Sequence, residues 1–130
     1  MTLNQTPNRR ILIVDDEERI REVVRACLED LGGWKTLRAA SGHDGLLKVE
    51  TEEIDAILLD VSMPDMDGLQ FFEQLRKQFD TRPIPVILLT AKMLPSDRTR
   101  LFEMGVAGII AKPFNPILLH DQIVAILGWN

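Results

Sequence analysis

The chain has 130 residues, 45% hydrophobic and 27% charged, which is the size and composition of one globular domain. Its single cysteine excludes an internal disulfide and a zinc site with several cysteine ligands. The net charge of −5 argues against sequence-independent nucleic-acid binding, because such binding needs a basic face. No apolar run approaches the ~20 residues that span a bilayer, and the polar N-terminus lacks the apolar stretch of a signal peptide. We therefore expect a cytoplasmic protein.

The first element is a buried strand. Residues 1–8 are polar and without periodicity, so they are expected to form a flexible N-terminal arm. The continuous apolar run over residues 11–14 predicts a strand that is buried on both faces. Apolar residues at spacings of three and four then predict an amphipathic helix that ends at Gly32 and Gly33. The members of this stripe are Ile20, Val23, Val24, Cys27, Leu28 and Leu31.

The middle of the chain repeats this alternation. Residues 34–39 favour a second strand, and Ser41 is expected to cap a second helix. Residues 54–60 predict a third strand, followed by a loop that contains Pro64 and Gly68. The next helix has a predicted core stripe of Leu69, Phe72, Leu75 and Phe79.

Two more strands and two more helices complete the pattern. Residues 86–90 and 106–111 predict strands, with Ser96 or Asp97 capping the helix between them. Residues 116–128 predict the final helix, with its proline in the first turn.

Five strands and five helices in strict alternation predict an α/β fold, in which helices cover both faces of a parallel sheet. We expect a doubly wound five-stranded sheet in one domain over residues 9–130. No internal repeat and no linker to a second domain is evident.

The ends of the predicted strands carry a distinctive set of polar residues. Asp15 and Asp16 follow the first strand, Asp60 ends the third, Thr90 ends the fourth and Lys112 follows the fifth. In sheets of this kind, ligands bind outside the carboxyl ends of the strands. We therefore expect these five side chains to converge on one site.

The chemistry of this set favours a hard divalent cation and a phosphoryl group. Clustered carboxylates repel one another, and Mg²⁺ is the hard cation that prefers a few carboxylate oxygens. A carboxylate such as Asp60 can also act as a nucleophile towards phosphorus. The alternative is that Asp15 and Asp16 only cap a helix, although one aspartate would suffice for that.

Four segments resemble the receiver domain of two-component response regulators, the family that includes the chemotaxis response regulator. They are residues 11–17 (ILIVDDE), 58–68 (LLDVSMPDMDG), 88–91 (LLTA) and 111–114 (AKPF). Their order and separations are family-like, and the resemblance extends over nearly the whole chain from Arg10 onwards. It implies a flavodoxin-like sheet with strand order 2-1-3-4-5 and five helices on both faces.

The resemblance also implies a role for each acidic residue. Asp60 would be the phosphoacceptor. Asp15, Asp16 and Asp60 would hold Mg²⁺ together with the backbone carbonyl of Ser62.

The basic, hydroxyl and loop residues have implied roles as well. Lys112 would contact the phosphoryl group, and the Thr90 hydroxyl would move towards it, followed by the loop that begins at Ala91. Pro113 would follow a cis peptide. Ile109 stands where the family usually has an aromatic switch residue, and the chain has no tyrosine. We therefore expect activation to pass mainly through the loop after Thr90.

The implied function is a phosphorylation-switched signalling module and not an enzyme, apart from assisting its own phosphorylation and dephosphorylation. A sensor histidine kinase or phosphotransfer protein would donate the phosphoryl group. A downstream protein would bind, with the face of the fourth helix, fifth strand and fifth helix as one candidate surface. We expect a monomer or weak dimer that contacts neither nucleic acid nor membrane, and a free-standing regulator whose output comes from a partner.

Two other classes of protein remain as alternatives. A hydrolase of the haloacid-dehalogenase type also uses a strand-end aspartate and Mg²⁺, but it needs a second aspartate where this chain has Ser62. A scaffold that is never phosphorylated usually lacks one of the site residues, all of which are present here.

Four residues outside the site also carry expectations. His43 and His120 have no partner ligands nearby in sequence and are expected on the surface. Trp34 and Trp129 lie at the ends of predicted elements, away from Asp60, so Mg²⁺ binding is expected to change their fluorescence little.

Overall fold

The computed structural model describes residues 9–64, 66–78, 84–91 and 95–129. Within them, strands and helices alternate along the chain as the sequence predicts. In chain order they are β1 (Arg10–Val14), α1 (Glu18–Ala26) with a π-helical continuation (Cys27–Leu31), β2 (Lys35–Ala39), α2 (Gly42–Thr51), β3 (Ala56–Asp60), α3 (Gly68–Gln78), β4 (Val86–Thr90), α4 (Pro95–Met104), β5 (Gly108–Ala111) and α5 (Leu119–Leu127). The arm predicted over residues 1–8 lies outside the described residues.

The five strands form one parallel sheet in the order β2-β1-β3-β4-β5, which confirms the predicted fold class and strand order. Every residue of β3 and β4 is buried, because helices cover both faces of the sheet. Among the described helices, none is long and apolar enough to cross a membrane.

Alternate residues of each strand point into two separate cores. Leu12 and Val14 of β1 belong to the core on one face, and Ile11 and Ile13 belong to the core on the other. The helices add buried side chains to the first core from α2, α3 and α4: Val49, Phe71, Phe72, Leu75 and Leu101. They add buried side chains to the second core from α1, its π-helical continuation and α5: Val24, Cys27, Leu28, Leu119 and Ile123. Full burial of one such side chain stabilises the fold by about 1.5–3 kcal/mol.

The first helix ends where the sequence predicts, but its last turn has a different geometry. Residues Cys27–Leu31 form a π-helix, and Gly33 follows with a φ of 73°. Hydrogen bonds to the fifth residue widen the turn and change which side chains face the sheet. Leu31, which the sequence places in the core stripe, is therefore 66% exposed, and that part of the prediction is wrong.

Several element starts also differ from the predictions, including that of β3, which begins at Ala56 and not at residue 54. Helix α4 begins at Pro95, ahead of the predicted caps Ser96 and Asp97, since proline suits a first helical turn. Strand β5 begins at Gly108 and not at residue 106. Helix α5 begins at Leu119, and the proline at position 116 belongs to a preceding turn.

The late start of α5 has a local cause. The side-chain oxygen Oδ1 of Asn115 accepts the Ile117 N–H at 3.0 Å, and its backbone carbonyl accepts the Leu118 N–H at 3.1 Å. Asparagine side chains compete in this way with helical hydrogen bonding.

The predicted cap of α2 is confirmed, since the Ser41 side chain accepts the Asp44 N–H at 3.1 Å.

Candidate functional site

The three predicted metal-site carboxylates lie together at the carboxyl edge of the sheet. Oxygen atoms of Asp15, Asp16 and Asp60 are all within 4.8 Å of one another. The cause is strand pairing: Val14 of β1 lies opposite Leu59 of β3, so the residues that follow them leave the sheet side by side. Asp15 and Asp60 are buried, while Asp16 is exposed.

Asp15 is held by hydrogen bonds at each of its polar groups. Its N–H donates to the Ala39 carbonyl at 3.1 Å, and its carbonyl accepts Nη1 of Arg21 at 2.8 Å. Its carboxylate accepts the Glu17 N–H at 2.9 Å on Oδ1 and the Lys112 ammonium at 3.0 Å on Oδ2. Glu17 is the N-cap residue of α1 and no side chain caps that helix, so capping explains neither Asp15 nor Asp16.

Asp60 is the last residue of β3 and is only 4% exposed. Its Oδ1 accepts Lys112 Nζ at 3.2 Å and the Ser62 N–H at 3.3 Å. Burial raises the pKa of the Asp60 carboxyl above its ordinary value of 3.8, and the negative charge of Asp15 raises it further. Lys112 and the Ser62 N–H oppose this shift without cancelling it.

Lys112 bridges the two buried carboxylates. It is positioned by the β4–β5 register, because its N–H donates to the Thr90 carbonyl at 2.8 Å. Burial alone would lower the pKa of the Lys112 ammonium, but its hydrogen bonds and attraction to Asp15 and Asp60 outweigh burial and raise it. The lysine is therefore a firmly charged group at the centre of the site.

The remaining predicted residues belong to β4, to β5 and to the positions that directly follow these strands. Thr90 ends β4 and is 7% exposed, and Ala91 after it is exposed. Ile109 of β5 is partly buried and packs against the core beneath α3 and α4. The peptide between Lys112 and Pro113 is cis.

The loop after β3 brings Ser62 and Gly68 to the site. Ser62 is exposed and contacts Asp60 through its N–H. A Cβ atom on Gly68 would lie 2.8 Å from the Asp60 carbonyl oxygen and 2.8 Å from Val61 Cα. Close backbone approach, and not a left-handed φ, is therefore the reason that glycine fits position 68.

The charge balance of the cluster fits a divalent cation. Lys112 supplies one positive charge to three carboxylates, and the raised pKa of Asp60 reflects the negative charge and burial that remain. Carboxylate oxygens are the ligands that Mg²⁺ prefers in proteins. The arrangement is thus suited to bind such an ion and to place phosphoryl oxygens between it and an ammonium group.

Two contacts of Asp15 have no signal in the sequence. The first is the hydrogen bond from Arg21 to the Asp15 carbonyl, since an arginine on an amphipathic helix is usually a solvated residue. The second is the hydrogen bond from the Glu17 N–H to the Asp15 carboxylate, because every residue except proline offers such a donor.

The tryptophans lie away from the carboxylate cluster. Trp34 is buried directly before β2, and its ring packs 5.3 Å from that of Trp129.

The prediction that His120 is a surface residue is wrong. Its ring packs 4.2 Å from that of Trp34, and its side chain is only 26% exposed. His43 is exposed, as expected.

Comparison with known proteins agrees with this fold and site. A model of the response regulator receiver domain matches residues 11–124, so the chain belongs to the response-regulator receiver family. It is a receiver domain of two-component signalling, and family membership does not favour the hydrolase alternative.

Two curated relatives are transcriptional regulatory proteins of bacteria. The chain is 38% identical over 120 residues to the alkaline phosphatase synthesis transcriptional regulatory protein PhoP of Bacillus subtilis, covering 92% of this chain and 49% of the relative. It is 39% identical over 119 residues to the phosphate regulon transcriptional regulatory protein PhoB of Escherichia coli, covering 92% and 52%. The chain thus spans about half the length of these curated relatives.

The fold is also similar to that of solved receiver domains. The chemotaxis protein CheY4 of Vibrio cholerae superposes with a TM-score of 0.84 at 32% identity, covering 92% of this chain and 98% of that chain. A CheY-like receiver domain protein of Methanospirillum hungatei gives a TM-score of 0.81 at 30% identity, covering 93% and 94%. Receiver domains of this kind bind Mg²⁺ at an acidic pocket and interact with histidine kinases and downstream effectors.

Proposed function

We propose that this domain accepts a phosphoryl group on Asp60 in the presence of Mg²⁺ and thereby changes the surface that it offers to a partner protein. The observation that supports the proposal is the contact of one partly buried ammonium, that of Lys112, with two buried carboxylates at the edge of the sheet. A third carboxylate, Asp16, completes the acidic cluster.

In this proposal Asp15, Asp16 and Asp60 hold the metal through carboxylate oxygens, and Ser62 adds its backbone carbonyl. Bound Mg²⁺ would supply positive charge to the oxygens of the phosphoryl group. The fit rests on the 4.8 Å spread of the three carboxylates and on the single ammonium that balances them.

The covalent step belongs to Asp60. One of its carboxylate oxygens forms a bond to phosphorus, while the bond from phosphorus to the donor breaks and the electron pair leaves with the donor. Lys112 neutralises charge on the phosphoryl oxygens, and the Thr90 hydroxyl donates a hydrogen bond to one of them. The donor is a histidine kinase or a phosphotransfer protein.

The switch follows from the change in charge at Asp60. A phosphoryl group carries about −1.5 to −2 near neutral pH, and it offers Lys112 and Thr90 new oxygen acceptors. Thr90 is continuous with Ala91, the last described residue before α4. We propose that the predicted loop after Thr90 transmits the change, while Ile109, packed against the core, moves less.

The output surface is proposed at the face of α4, β5 and α5. Phe102 on α4 is 45% exposed, which leaves apolar area for a downstream protein to cover.

We propose further that residues 9–130 form the receiver domain behind an arm of residues 1–8. The protein is proposed to work in the cytoplasm as a monomer or weak dimer. Its role is signalling and not turnover of a separate substrate, and its output passes through a protein partner and not through direct contact with nucleic acid.

Incubation with acetyl phosphate and MgCl₂, followed by intact-mass measurement, tests the proposal. We expect one phosphoryl adduct, which is lost in Asp60→Asn and in the presence of a metal chelator. Asp67→Asn, a change of the same kind at a half-buried carboxylate in the same loop, serves as the control and should keep the adduct. An adduct that persists in Asp60→Asn would contradict Asp60 as the acceptor. The absence of an adduct from the native chain, with both acetyl phosphate and a kinase, would favour the scaffold alternative.

A further inference from the structure

Arg21 lies on α1 and reaches back to the start of the acidic cluster. Side chains on a helix point towards its N-terminus, so an arginine in the first turns can reach the loop before the helix. The Nη1 atom of Arg21 donates to the backbone carbonyl of Asp15 at 2.8 Å. This is a charge-assisted hydrogen bond in a partly buried position, which is stronger than a bond between neutral groups.

The carbonyl that Arg21 holds belongs to the peptide unit that joins Asp15 to Asp16. The other polar groups of Asp15 are tied to β2, to Glu17 and to Lys112. Asp16, in contrast, is exposed, and its place beside Asp15 and Asp60 depends on the orientation of that peptide. Fixing the carbonyl fixes the plane of the peptide and hence the direction in which Asp16 leaves the chain.

We infer that Arg21 is a positioning residue for the metal site, which sets Mg²⁺ affinity by holding the Asp15–Asp16 peptide in the orientation that directs both carboxylates towards one ion. The inference rests on the proposed Mg²⁺ site. It assigns to Arg21 no contact with metal or phosphoryl group. Outer partners that orient metal ligands commonly alter metal affinity by about 10–100-fold when they are removed.

A positioning role and a purely electrostatic role of Arg21 predict opposite changes in Mg²⁺ affinity when Arg21 is replaced. The guanidinium is a positive charge close to a proposed cation site, so its Coulomb effect alone opposes Mg²⁺ binding. If only charge mattered, removing Arg21 would tighten Mg²⁺ binding. If Arg21 orients the peptide, removing it weakens binding in spite of the lost repulsion.

Titration calorimetry of the full chain with MgCl₂ distinguishes these cases. Arg21→Met removes the donor and the charge while keeping an apolar side chain, and Arg21→Lys keeps a charged donor. Arg19→Met is the matched control, because Arg19 is an exposed arginine two residues away on the same helix. Thermal unfolding without Mg²⁺ is measured for each variant to compare the stability of the fold.

We expect the dissociation constant for Mg²⁺ to rise about tenfold in Arg21→Met, to return most of the way to the native value in Arg21→Lys, and to stay unchanged or fall slightly in Arg19→Met. Unchanged or tighter binding in a folded Arg21→Met would overturn the inference, as would an equal loss in Arg19→Met. If Arg21→Met does not fold, the same titration on Arg21→Leu, which also removes both the donor and the charge, decides on the same criteria. A native chain that binds no Mg²⁺ would instead contradict the proposed function.

Discussion

Lys112 and Asp15 are 97 residues apart in the chain, yet the lysine Nζ lies 3.0 Å from Asp15 Oδ2. The same ammonium is 3.2 Å from Asp60 Oδ1. One cation therefore balances two buried carboxylates, and the proposed phosphoryl group would offer it a third set of oxygens. The energetics of this pairing can be tested without any partner protein.

Replacing Asp60 with asparagine should stabilise the metal-free protein at neutral pH. The raised pKa of Asp60 means that its ionised form is disfavoured by the fold, chiefly through burial and then through the charge of Asp15. The asparagine amide would keep an oxygen for Lys112 and lose the charge. We expect a gain of about 1 kcal/mol, the usual scale of a single substitution, in urea unfolding at pH 7.

The gain in stability of Asp60→Asn should depend on pH. Because the pKa of Asp60 is higher in the folded chain, the folded state binds a proton more readily than the unfolded state. The native chain therefore loses stability as pH rises from the ordinary value of 3.8 through the raised pKa. The advantage of Asp60→Asn should be small at acid pH and grow across this window. An advantage that is the same at all pH values would contradict the assigned cause.

Replacing Lys112 with methionine should destabilise the metal-free protein, in contrast to Asp60→Asn. Breaking a buried charge pair by removing one partner typically costs about 3–5 kcal/mol, because the other charge is left uncompensated. In the native chain the pKa of Lys112 is raised, so its contribution is present at neutral pH and is lost only as pH rises through that pKa.

Mg²⁺ should rescue Lys112→Met more strongly than it stabilises the native chain. The variant lacks the ammonium that repels the ion, so the ion binds more tightly and shifts the unfolding midpoint further. Thermal unfolding with and without MgCl₂ measures this directly. A smaller Mg²⁺-dependent shift in Lys112→Met than in the native chain would argue against a cation site at these carboxylates.

Replacing Gly68 with alanine should destabilise the chain and disturb the site. A Cβ atom there would lie 2.8 Å from the Asp60 carbonyl oxygen, and backbone atoms cannot move aside as a flexible side chain can. We expect a cost of about 1–3 kcal/mol in urea unfolding and a slower reaction with acetyl phosphate. Gly42→Ala is the control, because the atoms nearest its Cβ belong to the flexible side chain of Met66. Equal costs in the two variants would contradict this explanation.

Tryptophan emission should respond little to Mg²⁺. Trp34 directly precedes β2 and so lies at the amino edge of the parallel sheet, while Asp60 ends β3 at the carboxyl edge. A five-residue strand separates these edges by roughly 15 Å. Trp129 packs against Trp34 and shares its surroundings. A large quench on titration with MgCl₂ would contradict this separation.

The cluster of carboxylates at the carboxyl edge of the sheet was predictable because it depends on the strands and on their parallel pairing. Continuous apolar runs marked the central strands, and parallel pairing then required Asp15 and Asp60, which follow or end those strands, to meet. The Ser41 cap was predictable for a similar reason, since its hydrogen bond is local.

The remaining features depend on contacts that have no local pattern. Arg21 bonds to a backbone carbonyl, and any residue type offers such a carbonyl, so the sequence contains no partner to identify. His120 is half-buried because Trp34, far away in the chain, packs against its ring. Leu31 is exposed because the helix widens to a π-helix just before its end.

The most direct test of the central claim is the identity of the residue that carries the phosphoryl group. Borohydride reduces an aspartyl phosphate to homoserine and leaves free aspartate unchanged, so peptide mass spectrometry after reaction with acetyl phosphate and MgCl₂ locates the acceptor. We expect homoserine at position 60 and unmodified aspartates at positions 15 and 16. Homoserine at either of those two positions, with Asp60 unmodified, would contradict it.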